Sequence, residues 1–207
     1  MEALSTLTRQ VIPHSTLTSL LKDYARPNDK INRMSHQGDL IALKKGLYAL
    51  TDTRSPSKEL IANHLSGPSY VSRQWALAYY GFMTEQVTEV TSMCIGRSQQ
   101  FENALGRFSY HAIPAHYYSL GLCSEQQQDS AFIIATREKA LCDLLISTRY
   151  LRLQSKSAVL RYLLENLRLD EDDLLTLEPQ AIAAFIDAGY KINLLTQLIG
   201  ALEILHD

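Results

Sequence analysis

The chain has little cysteine, and its few cysteines are not spaced to bind metal or to build a disulfide framework. Among 207 residues only Cys94, Cys123 and Cys142 occur, without any CxxC or Cys/His spacing. We expect reduced core thiols in a cytoplasmic protein. No apolar run approaches the roughly 18 residues that a membrane helix needs. The opening segment MEALSTLTRQ carries an acidic residue and no apolar core, unlike a signal peptide.

The motifs of common enzyme classes are also missing: no glycine-rich phosphate loop, nucleophile elbow or Rossmann fingerprint occurs. Glu138, Lys139 and Asp143 could suggest a nuclease-like group. However, Lys139 and Asp143 lie four apart on one predicted helix, the usual spacing of a surface ion pair. The sequence therefore predicts no catalytic residue, metal or cofactor, and we do not expect an enzyme.

Two further polar groups favour ordinary structural roles over metal binding. The acidic run at 170–173 directly precedes a helical segment, where carboxylates stabilise the positive end of the helix dipole. His111 and His116 lie in a predicted strand and the loop after it, without nearby cysteine or histidine partners.

Positive charge is concentrated near the N-terminus. Residues 1–58 hold nine Lys/Arg against five Asp/Glu, whereas the remainder holds 11 against 17. This asymmetry is typical of a small nucleic-acid-binding unit joined to an acidic partner domain.

Three short helices are predicted in the basic region. Residues 3–9 form the first. The second begins at Ser15 as its N-cap, has an apolar stripe that runs from Leu17 to Tyr24, and ends before Pro27. The third begins at Asn28 or Asp29 and ends at Gly38.

The third helix is amphipathic, with a face suited to contact with bases. At 100° per residue, Ile31 and Met34 face the core, and Arg33 lies near the middle of the opposite face. The residues that flank Arg33 are all polar: Asp29, Asn32, His36 and Gln37.

A β-hairpin follows at once. The apolar flanks 40–43 and 47–50 read as strands joined by Lys44, Lys45 and Gly46, with glycine in the left-handed position of the loop. Both lysines are then expected at the exposed tip. They either contact DNA phosphates or simply keep the hairpin soluble.

Three helices followed by a hairpin is the order of a winged helix-turn-helix, in which the third helix enters the major groove. We predict such a DNA-binding domain at 1–56, and an α+β domain with a helical C-terminal tail at 57–207. A winged helix used only for protein contacts remains an alternative. The residues predicted to contact DNA are Ser15, Thr16, Lys30, Asn32, Arg33, His36, Lys44 and Lys45.

The second region alternates helix and strand patterns. Helices are predicted at 59–65, 72–81 (capped by Ser72) and 137–146, and strands at 87–95, 99–113 (a hairpin turning at 105–106) and 131–135. Four amphipathic helices complete the tail, at 158–167, 171–177, 179–188 and 192–205. The aromatic residues Trp75, Tyr79, Tyr80, Tyr117 and Tyr118 are expected mostly in the core, with a partner-binding patch as the alternative.

Four segments occur in the order typical of one known family: GDLIALKKGLYAL, PSYVSRQWALAYYGF, VTEVTSMCIGRSQQFENALGRFSYHAI and IATREKALCDLL. Over roughly residues 1–150 the chain resembles the AbiEi family, the antitoxins of type IV toxin-antitoxin systems. The resemblance implies a bacterial repressor of its own operon that binds double-stranded operator DNA. It assigns DNA contact by position to Lys30, Asn32, Arg33, His36, Lys44 and Lys45.

The resemblance also implies a cognate nucleotidyltransferase-like toxin, which the C-terminal domain would neutralise without necessarily touching it. A second hypothesis is a protein-interaction module, in which the α+β domain binds a partner directly and the winged helix serves as a scaffold.

Overall fold

The N-terminal part of the chain folds as two helices on a small antiparallel sheet. A computed structural model describes Leu7 and residues 10–51, 55–127 and 130–206. The helix predicted at 3–9 lies outside these residues, Leu7 excepted. The elements are β1 (Ile12–Pro13), α1 (His14–Leu20), α2 (Pro27–His36), β2 (Leu40–Lys44) and β3 (Leu47–Leu50), with strand order β1-β3-β2.

The apolar spacing of α2 gives the predicted burial, since Ile31 and Met34 are 1% and 3% exposed. They pack with Leu17 and Leu21 of the α1 segment. Two details of the prediction were wrong. Pro27 begins α2 at its first turn, where the missing N–H costs nothing, and Ser15 lies inside α1, whose N-cap is Pro13.

The hairpin of β2 and β3 turns at Lys45 and Gly46, and Gly46 adopts the predicted left-handed conformation with φ +79°. Its strands belong to two cores at once. Leu40 and Leu50 pack beneath α1 and α2. Leu43, Leu47 and Ala49 join the larger core of the rest of the molecule. The hairpin is therefore held between the two parts of the chain.

The larger part is built on a six-stranded mixed sheet. Its order is β6-β7-β5-β4-β9-β8, with β5/β7 and β4/β9 parallel and the other neighbours antiparallel. The strands are β4 (Ser69–Val71), β5 (Glu89–Cys94), β6 (Gln99–Asn103), β7 (Gly106–Ala112), β8 (Leu122–Gln127) and β9 (Ser130–Ala135). The fold is thus mixed α+β.

Helices cover this sheet and form the C-terminal tail: α3 (Lys58–Leu65), α4 (Arg73–Tyr79), α5 (Ala115–Tyr118), α6 (Arg137–Ser147), α7 (Lys156–Arg161), a π-helical turn (Tyr162–Asn166), α8 (Glu171–Leu175), α9 (Pro179–Ile186) and α10 (Ile192–His206). The sequence patterns anticipated these helices to within a few residues, except for the short α5. No helix within the described ranges is long and apolar enough to cross a membrane.

The cysteine and aromatic residues that were expected in the core range from fully buried to exposed. Cys94 and Cys142 are buried free thiols, while Cys123 is a half-buried one. Tyr117 is fully buried, and Trp75, Tyr80 and Tyr118 pack against the core from partly buried positions. Tyr79 is 44% exposed and Tyr24, predicted to face inward, is 45% exposed.

Candidate nucleic-acid interface

The outer face of α2 presents polar side chains to solvent. Asn32, Arg33 and His36 are exposed, opposite the buried Ile31 and Met34. Side chains of this kind can donate to or accept from base edges and phosphates. The structure thus brings together, on one helix face, three of the residues predicted to contact DNA.

Lys30 differs from these three because it is only half-buried and lies over an aromatic ring. Its ammonium is 5.7 Å from the centroid of the Tyr24 ring, a cation–π distance. Tyr24 is thereby part of the surface beside α2. Sequence reasoning missed this contact because the spacing of Tyr24 matched the apolar stripe of α1.

Ser15 and Thr16 occupy the first turn of α1, the former exposed and the latter half-buried. The hairpin turn lies against the same end of α1, where the His14 amide donates to the Gly46 carbonyl oxygen at 2.9 Å. The exposed residues Ser15 and Lys45 are therefore each next in sequence to a residue of this contact.

Both hairpin lysines are exposed, as predicted, but they are not equivalent. Lys44 lies in β2, and its Nζ donates to the Leu65 carbonyl oxygen at 2.8 Å. The same ammonium is 5.9 Å from the Phe101 ring centroid. Beside it, Asn103 Nδ2 donates to the Leu43 carbonyl oxygen at 3.2 Å. The ammonium of Lys44 therefore connects the hairpin to the larger part of the chain, whereas Lys45 lies in the turn itself.

A second polar group lies in the interior, where the surface ion pair was expected. Lys139 Nζ and Asp143 Oδ1 are 3.2 Å apart and both side chains are 0% exposed. Charged residues usually mark the solvent face of a helix, but α6 is enclosed on all sides, so the surface assignment was wrong. Burial lowers the pKa of Lys139 and raises the pKa of Asp143, because the low-polarity interior disfavours both charged forms.

The neighbours of this pair bond to Asp143 Oδ2 and Lys139 Nζ, whereas Asp143 Oδ1 contacts the ammonium without a hydrogen-bond partner among the described residues. Asp143 Oδ2 accepts from Tyr70 Oη at 2.9 Å and from Ser72 Oγ at 2.7 Å. Lys139 Nζ donates to the Tyr117 carbonyl oxygen at 3.1 Å. Ser72 is the N-cap residue of α4, as predicted, but its hydroxyl donates to Asp143 and makes no capping hydrogen bond. The group connects β4 to α6. Because neither charged side chain is exposed to solvent, a molecule outside the protein cannot contact them.

Neither a protein-family model nor a curated protein sequence matches this chain.

Proposed function

We propose that the protein is a DNA-binding transcriptional regulator that contacts duplex DNA through the outer face of α2. The observation that carries this proposal is the exposure of Asn32, Arg33 and His36 on one face of a helix whose opposite face is buried. A helix is the element that fits the major groove, and arginine is the commonest reader of guanine there.

The order of elements supports a winged helix. β1, α1, α2 and the β2–β3 hairpin follow one another, and the three strands form one sheet. In such an arrangement α2 is the recognition helix and the hairpin is the wing. The exposed Lys45 would then lie near the phosphate backbone, while Lys44 is occupied by Leu65.

The resemblance to the AbiEi family makes an autorepressor of a type IV toxin-antitoxin operon the specific form of this proposal. Its partners are operator DNA and, functionally, a nucleotidyltransferase-like toxin. We propose no enzymatic activity, because the buried Lys139–Asp143 pair has no access to a substrate.

Fluorescence anisotropy with a duplex from the gene's own upstream region and a scrambled duplex, each at two salt concentrations, tests this function. Specific binding should weaken as salt rises, because phosphate contacts release counterions. Arg33→Ala should reduce discrimination between the duplexes by about 1–3 kcal/mol. Lys45→Ala should lower affinity for both duplexes about equally.

Arg161→Ala is the matched control, since Arg161 is an exposed helical arginine in the C-terminal tail. It should leave both affinities unchanged. Equal and weak binding of the unmodified protein to both duplexes would refute sequence-specific regulation.

A protein-interaction module is the second candidate, and the position of the hairpin favours it. Leu43, Leu47 and Ala49 are buried against the larger domain, so the hairpin serves as a structural joint. Under this hypothesis, co-purification with the neighbouring gene product would persist at high salt and in the Lys45→Ala variant. The duplex measurements would then show only nonspecific binding.

A further inference from the structure

A polar cleft lies along strand β7, away from the face of α2. It consists of two cavities of about 500 and 430 Å³, which share the lining residues Gln100, Ser109 and His111. Arg73 and Glu89 line the larger cavity, and Arg149 lines the smaller one. Each volume falls within the range of about 300–1,000 Å³ typical of small-molecule sites.

Among the described residues that line this cleft, three have a buried side-chain atom without a hydrogen-bond partner: Arg73 Nε, Gln74 Oε1 and Ser109 Oγ. Arg73 is 8% exposed and Ser109 is 3% exposed. Because buried polar atoms are nearly always paired in folded proteins, the unpaired Arg73 Nε and Ser109 Oγ can each gain a partner if a ligand in the cleft turns these side chains toward it.

Arg73 is also held in an unusual backbone conformation, with φ +59°. For a residue with a side chain this left-handed region is costly, and such conformations are concentrated at functional sites. Its Nη1 contacts His111 Nε2. Because a guanidinium can only donate, Nε2 is the acceptor and the neutral imidazole carries its proton on Nδ1.

The charges around the smaller cavity favour an anion. Its lining includes Arg149 and His111 and contains no carboxylate. Burial, followed by the charges of Arg73 and Arg149, lowers the pKa of His111 to about 4. Burial lowers the pKa of Arg73, and two carboxylates oppose this effect, Asp143 of α6 and Glu89 of β5. Arg149 thus lies at the smaller cavity, Ser109 and His111 line both cavities, and Arg73 lies on the larger cavity together with Glu89.

We propose that this cleft binds a phosphate-bearing small molecule, with its phosphate group held among Arg73, Ser109, His111 and Arg149. Four donors that approach from three segments, namely α4, β7 and the residues after α6, suit a tetrahedral anion better than a planar carboxylate. The rest of the ligand occupies the larger cavity, which is lined by Met83, Val87 and Leu167 as well as polar residues. The two cavities together are large enough for a mononucleotide.

Sulfate is the first probe, because it remains a dianion between about pH 5 and pH 7, where phosphate itself titrates. Isothermal titration calorimetry of the full chain should show saturable sulfate binding that strengthens as pH falls. A bound dianion favours the imidazolium, but protonated Nε2 can no longer accept from Arg73, so the ring must turn from Arg73 toward the sulfate; this exchange raises the pKa of His111 in the complex and takes up a proton. In NMR spectra, the His111 ring signals, identified by their loss in His111→Gln, should shift with sulfate.

Arg149→Gln tests the site without risk to the fold, since Arg149 is exposed. Removing one charge-assisted hydrogen bond should weaken sulfate binding about tenfold or more. Arg152→Gln is the control, because Arg152 is equally exposed but lines a different cavity. Equal effects of the two variants would overturn the proposal.

Competition then distinguishes the sources of the phosphate group. Adenosine monophosphate should displace sulfate at a lower concentration than inorganic phosphate does, because its base and ribose fill the larger cavity. Equal potency of the two, or equally strong binding of acetate, would refute the proposed ligand class. Displacement of sulfate by a scrambled DNA duplex would assign the cleft to nucleic acid and would likewise overturn it.

Discussion

At the scale of the residue, Lys139 and Asp143 form an ion pair with no exposure to solvent. Burying two charges costs free energy that only good geometry and additional hydrogen bonds can offset. Tyr70 and Ser72 provide those bonds to Asp143, and the Tyr117 carbonyl provides one to Lys139. Removing either residue leaves the other buried without its counter-ion, and the two cases differ in the hydrogen bonds that remain.

We predict that Asp143→Ala lowers the free energy of unfolding by about 3–5 kcal/mol, because it leaves the buried Lys139 ammonium without its counter-ion. Lys139→Met should cost less, since Asp143 keeps two donors and can take up a proton. Urea denaturation measures both. The exposed pair Arg107–Glu102, 71% exposed on each side, is the control, and Glu102→Ala should cost no more than about 1 kcal/mol. A smaller loss for Asp143→Ala than for Lys139→Met would contradict this account.

His111 should make stability depend on pH. Burial lowers its pKa in the folded protein from the usual 6.5 to about 4, with Arg73 and Arg149 adding to the effect. The unfolded chain therefore binds more protons than the folded one between these two values, so stability should fall as pH decreases through this window.

Thermal unfolding of the protein and of His111→Gln, followed from about pH 7 to pH 4, checks this prediction. As the pH falls through this window, the melting temperature of His111→Gln should decrease less than that of the unmodified protein. A constant difference would show that His111 does not titrate in this way.

At the scale of the element, the β2–β3 hairpin has both its faces covered, one by α1 and α2 and the other by the larger domain. Lys44 adds a polar anchor to this packing through the carbonyl of Leu65, the last residue of α3. Lys45, its neighbour in sequence, is exposed. Substitutions at the two lysines can therefore be compared to measure how much the contact between Lys44 and Leu65 stabilises the protein.

Lys44→Met should lower the free energy of unfolding by about 1 kcal/mol, because the carbonyl of Leu65 loses its charged donor. Lys45→Met should change it by less than about 0.5 kcal/mol. Chemical denaturation of both variants makes the comparison. Equal effects would mean that the contact with Leu65 does not stabilise the hairpin.

The sequence predicted the elements whose residues repeat with a clear period. The stripe of α2, the tail helix α10 and the positive φ of Gly46 all follow from local patterns. β8 was missed because its sequence LCSEQQ is mostly polar, as suits its place at the edge of the sheet. An edge strand is paired on one side only and does not need an apolar run.

Dependence on local spacing also decides which of the candidate contacts could be predicted from the sequence. The exposed face of α2 could be predicted because it depends on helical spacing alone. The engagement of Lys44 could not, since Leu65 lies 21 residues away and the contact exists only after the domains have packed. The burial of Lys139 likewise depends on elements that surround α6 in space, and the Arg73–His111 contact joins residues 38 apart.

At the scale of the whole molecule, the basic N-terminal region and the acidic remainder are joined through a shared core. Of the residues in that larger core, Val11, Leu43, Leu47 and Ala49 come from the N-terminal part. A ligand that binds to either part can therefore alter the packing of core residues that both parts share. This is a physical route by which the larger domain can bias the position of α2.

The shared hairpin also limits how the protein can be taken apart. A fragment cut near residue 56 would expose Leu43 and Leu47 along one side of a strand pair, and such an uncovered apolar surface promotes self-association. Grafting the basic region onto an unrelated partner would therefore require those positions to be redesigned as polar. For the same reason, the two parts are expected to be inherited together and not exchanged as independent modules.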